Sequence, residues 1–177
     1  KQPAGQPLTL FTAVFNFNIR KKHAMQTYIL VFPRIGRNRE LKKVLEGYWK
    51  GELSERQLRN TADELKKRHW KVQHDAGLSF VTVGDFSFYD HVLDLTVALG
   101  AVPHRFRNTG SAFDTYFAMA RGDGSRNIPA MEMTKWFNTN YHYIVPELSS
   151  DQTFQPSLDW LEDDVALVRR LGFHAKP

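Results

Sequence analysis

Two short β-branched and apolar runs, Thr27–Phe32 (TYILVF) and Leu78–Val83 (LSFVTV), are separated by two segments with helical periodicity. A strand, a helical stretch of more than forty residues and a second strand restrict the chain to a few folds. They favour the βαβ crossover of an α/β domain with a parallel sheet. The first helical stripe is Leu41, Val44, Leu45 and Tyr48, ending at Gly51. Ser54 and Gln57 have capping-box spacing and open a second stripe, Leu58, Ala62, Leu65, Val72 and Ala76, which Gly77 ends.

Beyond the second run, Phe88, Val92, Leu95 and Leu99 predict a third helix stopped by Gly100. A short helix is predicted over 112–120 and a glycine-containing loop over 121–129. A strand is predicted within 136–145. Ser157 is predicted to cap a helix carrying Leu158, Leu161, Val165 and Val168, and a last strand is predicted within 168–177.

Composition narrows the chemistry. The chain has no cysteine, which excludes disulfides, thiolate nucleophiles and thiolate metal ligands within these 177 residues. Seven histidines contain no His-x-x-x-His pair, so a zinc site is not expected from this chain alone. No Gly-x-Gly-x-x-Gly, P-loop or Gly-x-Ser-x-Gly is present. The net charge of +5 invites a nucleic-acid reading, but residues 1–24 hold four bases and no acid, leaving a nearly neutral body. Residues 1–24 form a basic leader or extension. Its apolar stretch is too short and polar to span a bilayer, and its basic cluster follows that stretch, against the order of a secretory signal.

Two segments concentrate functional groups. Arg34, Arg37, Arg39, Lys42 and Lys43 place five bases in ten residues at a loop leading into a helix. Unpaired N–H groups at such a start favour a phosphate or carboxylate ligand; a solvated basic helix face is the alternative. Glu132–Tyr143 mixes acid, base, amides and four aromatics, as a polar pocket wall does, or a packed strand and loop. Asp85, Tyr89, Asp90 and His91, at a strand end and helix start, are either acid/base groups or an ordinary capped turn. A noncatalytic anion- or RNA-binding module is the competing functional class.

Phe32-Pro33-Arg34-Ile35-Gly36 with Arg39-Glu40-Leu41-Lys42 resembles the opening of the cobalamin-independent methionine synthases. So do Val83-Gly84-Asp85-Phe86, Tyr89-Asp90-His91-Val92-Leu93, Ala130–Phe137 and Thr139–Glu147. The resemblance covers about residues 26–177 and implies the N-terminal portion of the first of two (β/α)8 barrels. Residues 25–177 would then be a truncated TIM-type barrel. It implies a cytoplasmic methyltransferase that moves the methyl group of 5-methyltetrahydropteroyltri-L-glutamate to L-homocysteine. Zinc, but no cobalamin, serves that reaction, and the zinc ligands and homocysteine site lie in a C-terminal barrel outside this sequence. Neither nucleic acid nor membrane is implied as a partner. The folate's polyglutamate tail is expected on Arg39, Glu40, Leu41, Lys42, Lys135 and Asn140, with no catalytic residue in this piece. Val31 stands where the resemblance places glycine, and residues 1–24 have no counterpart.

Overall fold

The computed structural model describes residues 25–177, so the basic leader lies outside the described residues. Among the described residues five α-helices, one 3-10 turn and four short strands form a mixed α/β arrangement. α1 (Glu40–Trp49) buries Leu41 and Leu45, one turn apart, and ends before Gly51. α2 (Glu55–Asp75) starts at the predicted capping box. Ser54 Oγ accepts from the Gln57 N–H, and Gln57 Oε1 accepts from the Ser54 N–H at 2.9 Å. Ser54→Ala removes that reciprocal pair and should cost about 1 kcal/mol in chemical denaturation; an unchanged midpoint would show that α2 is held by packing alone.

α2 buries Leu58, Ala62, Leu65, His69, Trp70 and Gln73, whereas Val72, expected on the inner stripe, is 49% exposed. The inner face turns toward Trp70 and Gln73 because both serve β1 (Val81–Thr82). Trp70 Nε1 donates to the Thr82 carbonyl at 2.9 Å, and Gln73 Oε1 accepts from the Thr82 N–H at 2.8 Å. These bonds account for a difference from expectation: 27–32 forms no ladder strand. It runs beside β1 and accepts one backbone hydrogen bond, from Phe80 N–H to Thr27 O at 3.1 Å. The next ladder groups, those of Thr82, are already taken by α2, and the Thr82 hydroxyl reaches the Ile29 carbonyl instead.

On its other edge β1 pairs in parallel with β4 (Ala175–Lys176), with Val81 opposite Ala175. α5 (Asp159–Arg170) precedes β4 and packs Val168 into a small cluster with Trp70, Val81 and Val83. Ser157 does not cap α5. Its hydroxyl is spent on Asp159 Oδ2 at 3.0 Å, its N–H goes to the Ala98 carbonyl, and Leu158 occupies the cap position.

α3 (His91–Ala98) begins at Asp90 and buries Leu93, Thr96 and Ala98, leaving the expected Leu95 and Leu99 exposed. α4 (Ala112–Arg121) supplies Phe113, Phe117 and Met119 to the main core, where they meet Leu41, Leu58, Leu65, Leu93 and Phe106. The predicted strand within 136–145 is a hairpin. β2 (Met133–Lys135) pairs antiparallel with β3 (His142–Ile144), Lys135 opposite His142. Thr139 N–H and Oγ1 both donate to the Trp136 carbonyl, and Phe137 takes φ 51°, so the aromatic run breaks into a turn.

Candidate anion-binding site

The loop from Phe32 to Arg39 is tethered near its start, at Phe32 and Arg34. Asp85 Oδ2 accepts from Phe32 N–H at 2.7 Å, and Arg34 Nη2 donates to the Tyr89 carbonyl at 2.5 Å. Gly36 turns the chain at φ 82°, where a Cβ would lie 2.3 Å from Glu40 Oε2. Val31, in the place of the expected glycine, points its side chain outward at 59% exposure and does not crowd the loop.

The start of α1 differs from expectation in one respect. Glu40 turns its carboxylate back onto the helix start: Oε2 accepts from Asn38 N–H at 2.8 Å while Oε1 meets Arg68 at 2.7 Å. Backbone N–H donation, its own first, and Arg68 hold the Glu40 carboxyl down at about 2. The helix start already carries its anion, so an external ligand must be met by side chains. Leu41 is fully buried and packs in the main core. Arg39, in a left-handed conformation (φ 59°), and Lys42, 3.4 Å from Glu46, face solvent.

Lys135 and Asn140 both lie exposed on the hairpin. Among the described residues no hydrogen bond or ion pair joins Lys135 or Asn140 to Arg39 or Lys42. The two segments share an anchor. The buried Asp90 accepts from Leu93 N–H with Oδ1 at 2.9 Å and from Ile144 N–H of the hairpin with Oδ2 at 3.2 Å. His91 N–H donates to Tyr141 Oη at 3.2 Å, and the adjacent Tyr89 carbonyl holds Arg34. Residues 89–91 therefore tie the basic loop and the hairpin to one point.

Of the four acid/base candidates, Asp90 is a helix cap and Asp85 a loop tether; burial raises the Asp85 carboxyl and lowers the His91 imidazole. The residue that sequence reasoning missed is Asp94. Desolvation lifts its carboxyl to about 6 while Tyr116 Oη donates to it at 2.7 Å. Its position three residues after His91 on an otherwise apolar helix was the available signal. A cleft of about 270 Å³ opens beside the loop, lined by Arg34, Leu41, Lys42, Trp49, Phe88 and Tyr89 among others. Among the described residues no group of three or more His, Asp or Glu is placed to hold a metal. Nor is any described helix long and apolar enough to cross a membrane.

The domain is mixed α/β and presents basic side chains from a tethered loop and a polar hairpin. Comparison with known proteins places it more narrowly. Residues 26–177 match the family described as "Cobalamin-independent synthase, N-terminal domain". A protein of Nitrosomonas europaea named 5-methyltetrahydropteroyltriglutamate–homocysteine methyltransferase is 53% identical over 152 residues, covering 85% of this chain and 20% of that protein. Proteins of the same name from Syntrophotalea carbinolica (52% over 156 residues; 86% and 21%) and Acidithiobacillus ferrooxidans (51% over 150 residues; 84% and 19%) are also similar. The chain belongs to the cobalamin-independent synthase family, through its N-terminal domain, and spans about a fifth of the length of these relatives.

Proposed function

We propose that this chain is the tail-binding part of a cobalamin-independent methyltransferase that makes L-methionine from L-homocysteine and 5-methyltetrahydropteroyltri-L-glutamate. The relatives' names supply the substrates. The parallel β1–β4 pair with α5 leading into β4 is read as the opening of a (β/α)8 barrel. The observation that carries the ligand assignment is the shared anchor at residues 89–91, which holds Arg34 of the loop leading to Arg39 and Lys42, and Tyr141 and Ile144 of the hairpin that carries Lys135 and Asn140. Four side chains on two tethered segments suit an extended polyanion better than a compact one. In this reading Glu40 and Leu41 shape the helix start, and neither side chain pairs with the ligand's carboxylates.

Zinc serves the whole enzyme in this reading. Among the described residues no group fits a zinc site. Methyl transfer belongs to residues outside this chain, which is inactive alone and works in the cytoplasm as part of the larger protein.

Isothermal titration of the chain with tri-γ-L-glutamate and with glutamate tests the assignment. Lys42→Ala and Lys135→Ala should each weaken the triglutamate by roughly 3- to 10-fold, since both ammonium groups are exposed and screened. They should barely change glutamate binding. Equal losses for both ligands, or none, would refute the tail site. Methionine formation by the chain supplied with zinc and both substrates would refute its inactivity.

A further inference from the structure

A cation withdrawn from bulk water needs an anion or a full set of acceptors. Among the described residues Arg34 has neither in contact: its one protein acceptor is the Tyr89 carbonyl, its Nε is buried without a partner, and the Asp94 carboxylate acts on it only from beyond ion-pair distance. Among the described residues no carboxylate oxygen comes within 4.0 Å of its guanidinium. Residues 1–24 contain no acidic side chain to supply one.

Trp49, which lines the same cleft, carries a second orphan donor: among the described residues its Nε1 is also buried without an acceptor. Arg121 stands over the Trp49 ring at 3.9 Å, and Lys42 forms part of the cleft wall. The only acid of that wall, Glu46, is already paired with Lys42. Two buried donors and an excess of positive charge call for a ligand that is anionic and accepts without donating. A carboxylate meets that description. At about 270 Å³ the cleft falls short of the roughly 300–1,000 Å³ of sites that enclose a whole small molecule, so it suits one arm of a longer ligand. Leu41, Leu45 and Phe88 provide apolar wall for the methylenes of such an arm.

We infer that the cleft between the Phe32–Arg39 loop and α1 is a carboxylate subsite, with Arg34 as its principal ligand and Trp49 Nε1 as its second donor. This rests on the tail-binding reading and extends it: one carboxylate of a γ-linked glutamyl chain enters the cleft while Lys42 and Lys135 hold its neighbours outside. Because neither orphan nitrogen has exposed surface, seating the carboxylate turns the Trp49 and Arg34 side chains at the wall.

The test is titration of the ¹⁵N-labelled chain with tri-γ-L-glutamate, following indole N–H resonances, with that of Trp49 assigned by its loss in Trp49→Phe. A saturable Trp49 shift is expected, with the dissociation constant that Lys42→Ala weakens. Arg34→Met should weaken binding about 10- to 100-fold, because a buried charged donor is lost. Trp49→Phe should cost about 3- to 10-fold, as a neutral donor does, and Arg34→Lys should fall between Arg34→Met and wild type. If Lys42→Ala weakens binding but both Arg34 variants bind like wild type, the subsite is overturned and the tail site stands. If the folded wild-type chain shows no saturable binding, both fall. Should Arg34→Met fail to melt cooperatively, the wild-type titration decides: a Trp49 resonance unmoved at saturation overturns the proposal.

Discussion

Asp90→Ala should destabilise the chain by roughly 3–5 kcal/mol, more than any exposed substitution in the candidate site. Asp90 is 1% exposed, and each of its oxygens serves a different element. Oδ1 caps α3 at Leu93 N–H; Oδ2 holds the hairpin at Ile144 N–H. Leu93 and Ile144 are themselves buried, so alanine leaves two N–H groups with neither protein nor solvent acceptor. Each orphan costs about 1–3 kcal/mol, and loss of the cap adds to the first. For a chain of this size the melting temperature should fall by about 10 °C. Asp90→Asn keeps one acceptor and turns an NH₂ toward the other N–H, so an intermediate loss is expected. Amide exchange locates the effect: protection at Leu93 and Ile144 should drop together in Asp90→Ala. A loss below about 1 kcal/mol, or unchanged exchange at Ile144, would mean that the hairpin is not held through Asp90.

That double role marks the boundary of what the sequence reveals. Local signals were readable: Ser54 with Gln57 announced α2, and Gly51 and Gly77 marked where α1 and α2 stop. The failures are places where a distant side chain outcompetes a local preference. Thr27–Phe32 has strand composition, yet its ladder partners on Thr82 are occupied by Trp70 and Gln73 from α2, which no window of neighbouring residues contains. The exposed Leu95 and Leu99 follow from where Asp90 starts α3; its cap sets the helix phase so that Leu93 and Thr96 face inward. The same division holds for the site. Basic residues at 34–43 were visible as a cluster, but their inequality was not. Glu40 neutralises the helix start, Leu41 is core, Arg39 and Lys42 are solvated, and Arg34 is half-buried with no carboxylate in contact among the described residues. Burial separates these five residues, and burial is a tertiary property.

Asp94 gives the second large effect, and pH reveals it. Its side chain is 18% exposed, packed beside Tyr116 and His91. Desolvation raises its carboxyl to about 6, against the hydrogen bonds from Tyr116 and Ser87 and the attraction of Arg34; the nearby Asp90 raises it further. The folded chain therefore keeps a proton that the unfolded chain releases near pH 4. Between about pH 4 and 6 the unfolded state binds fewer protons, so this group's contribution to stability falls as pH rises. A shift of about two pH units corresponds to about 3 kcal/mol, reached above pH 7. His69 and His91 oppose it in an overlapping window. Burial lowers both, so their contributions are present above pH 6.5 and lost as pH falls. The wild-type profile alone therefore mixes two signs. Asp94→Asn separates them, because the amide oxygen still accepts from Tyr116 but carries no charge. The stability of Asp94→Asn minus that of wild type should be smallest near pH 4 and grow by about 3 kcal/mol by pH 7.5. Urea unfolding at half-unit pH steps measures the difference. A flat difference across pH 4–7.5 would place the Asp94 carboxyl at its ordinary value, and a difference that shrinks with pH would reverse the assigned direction.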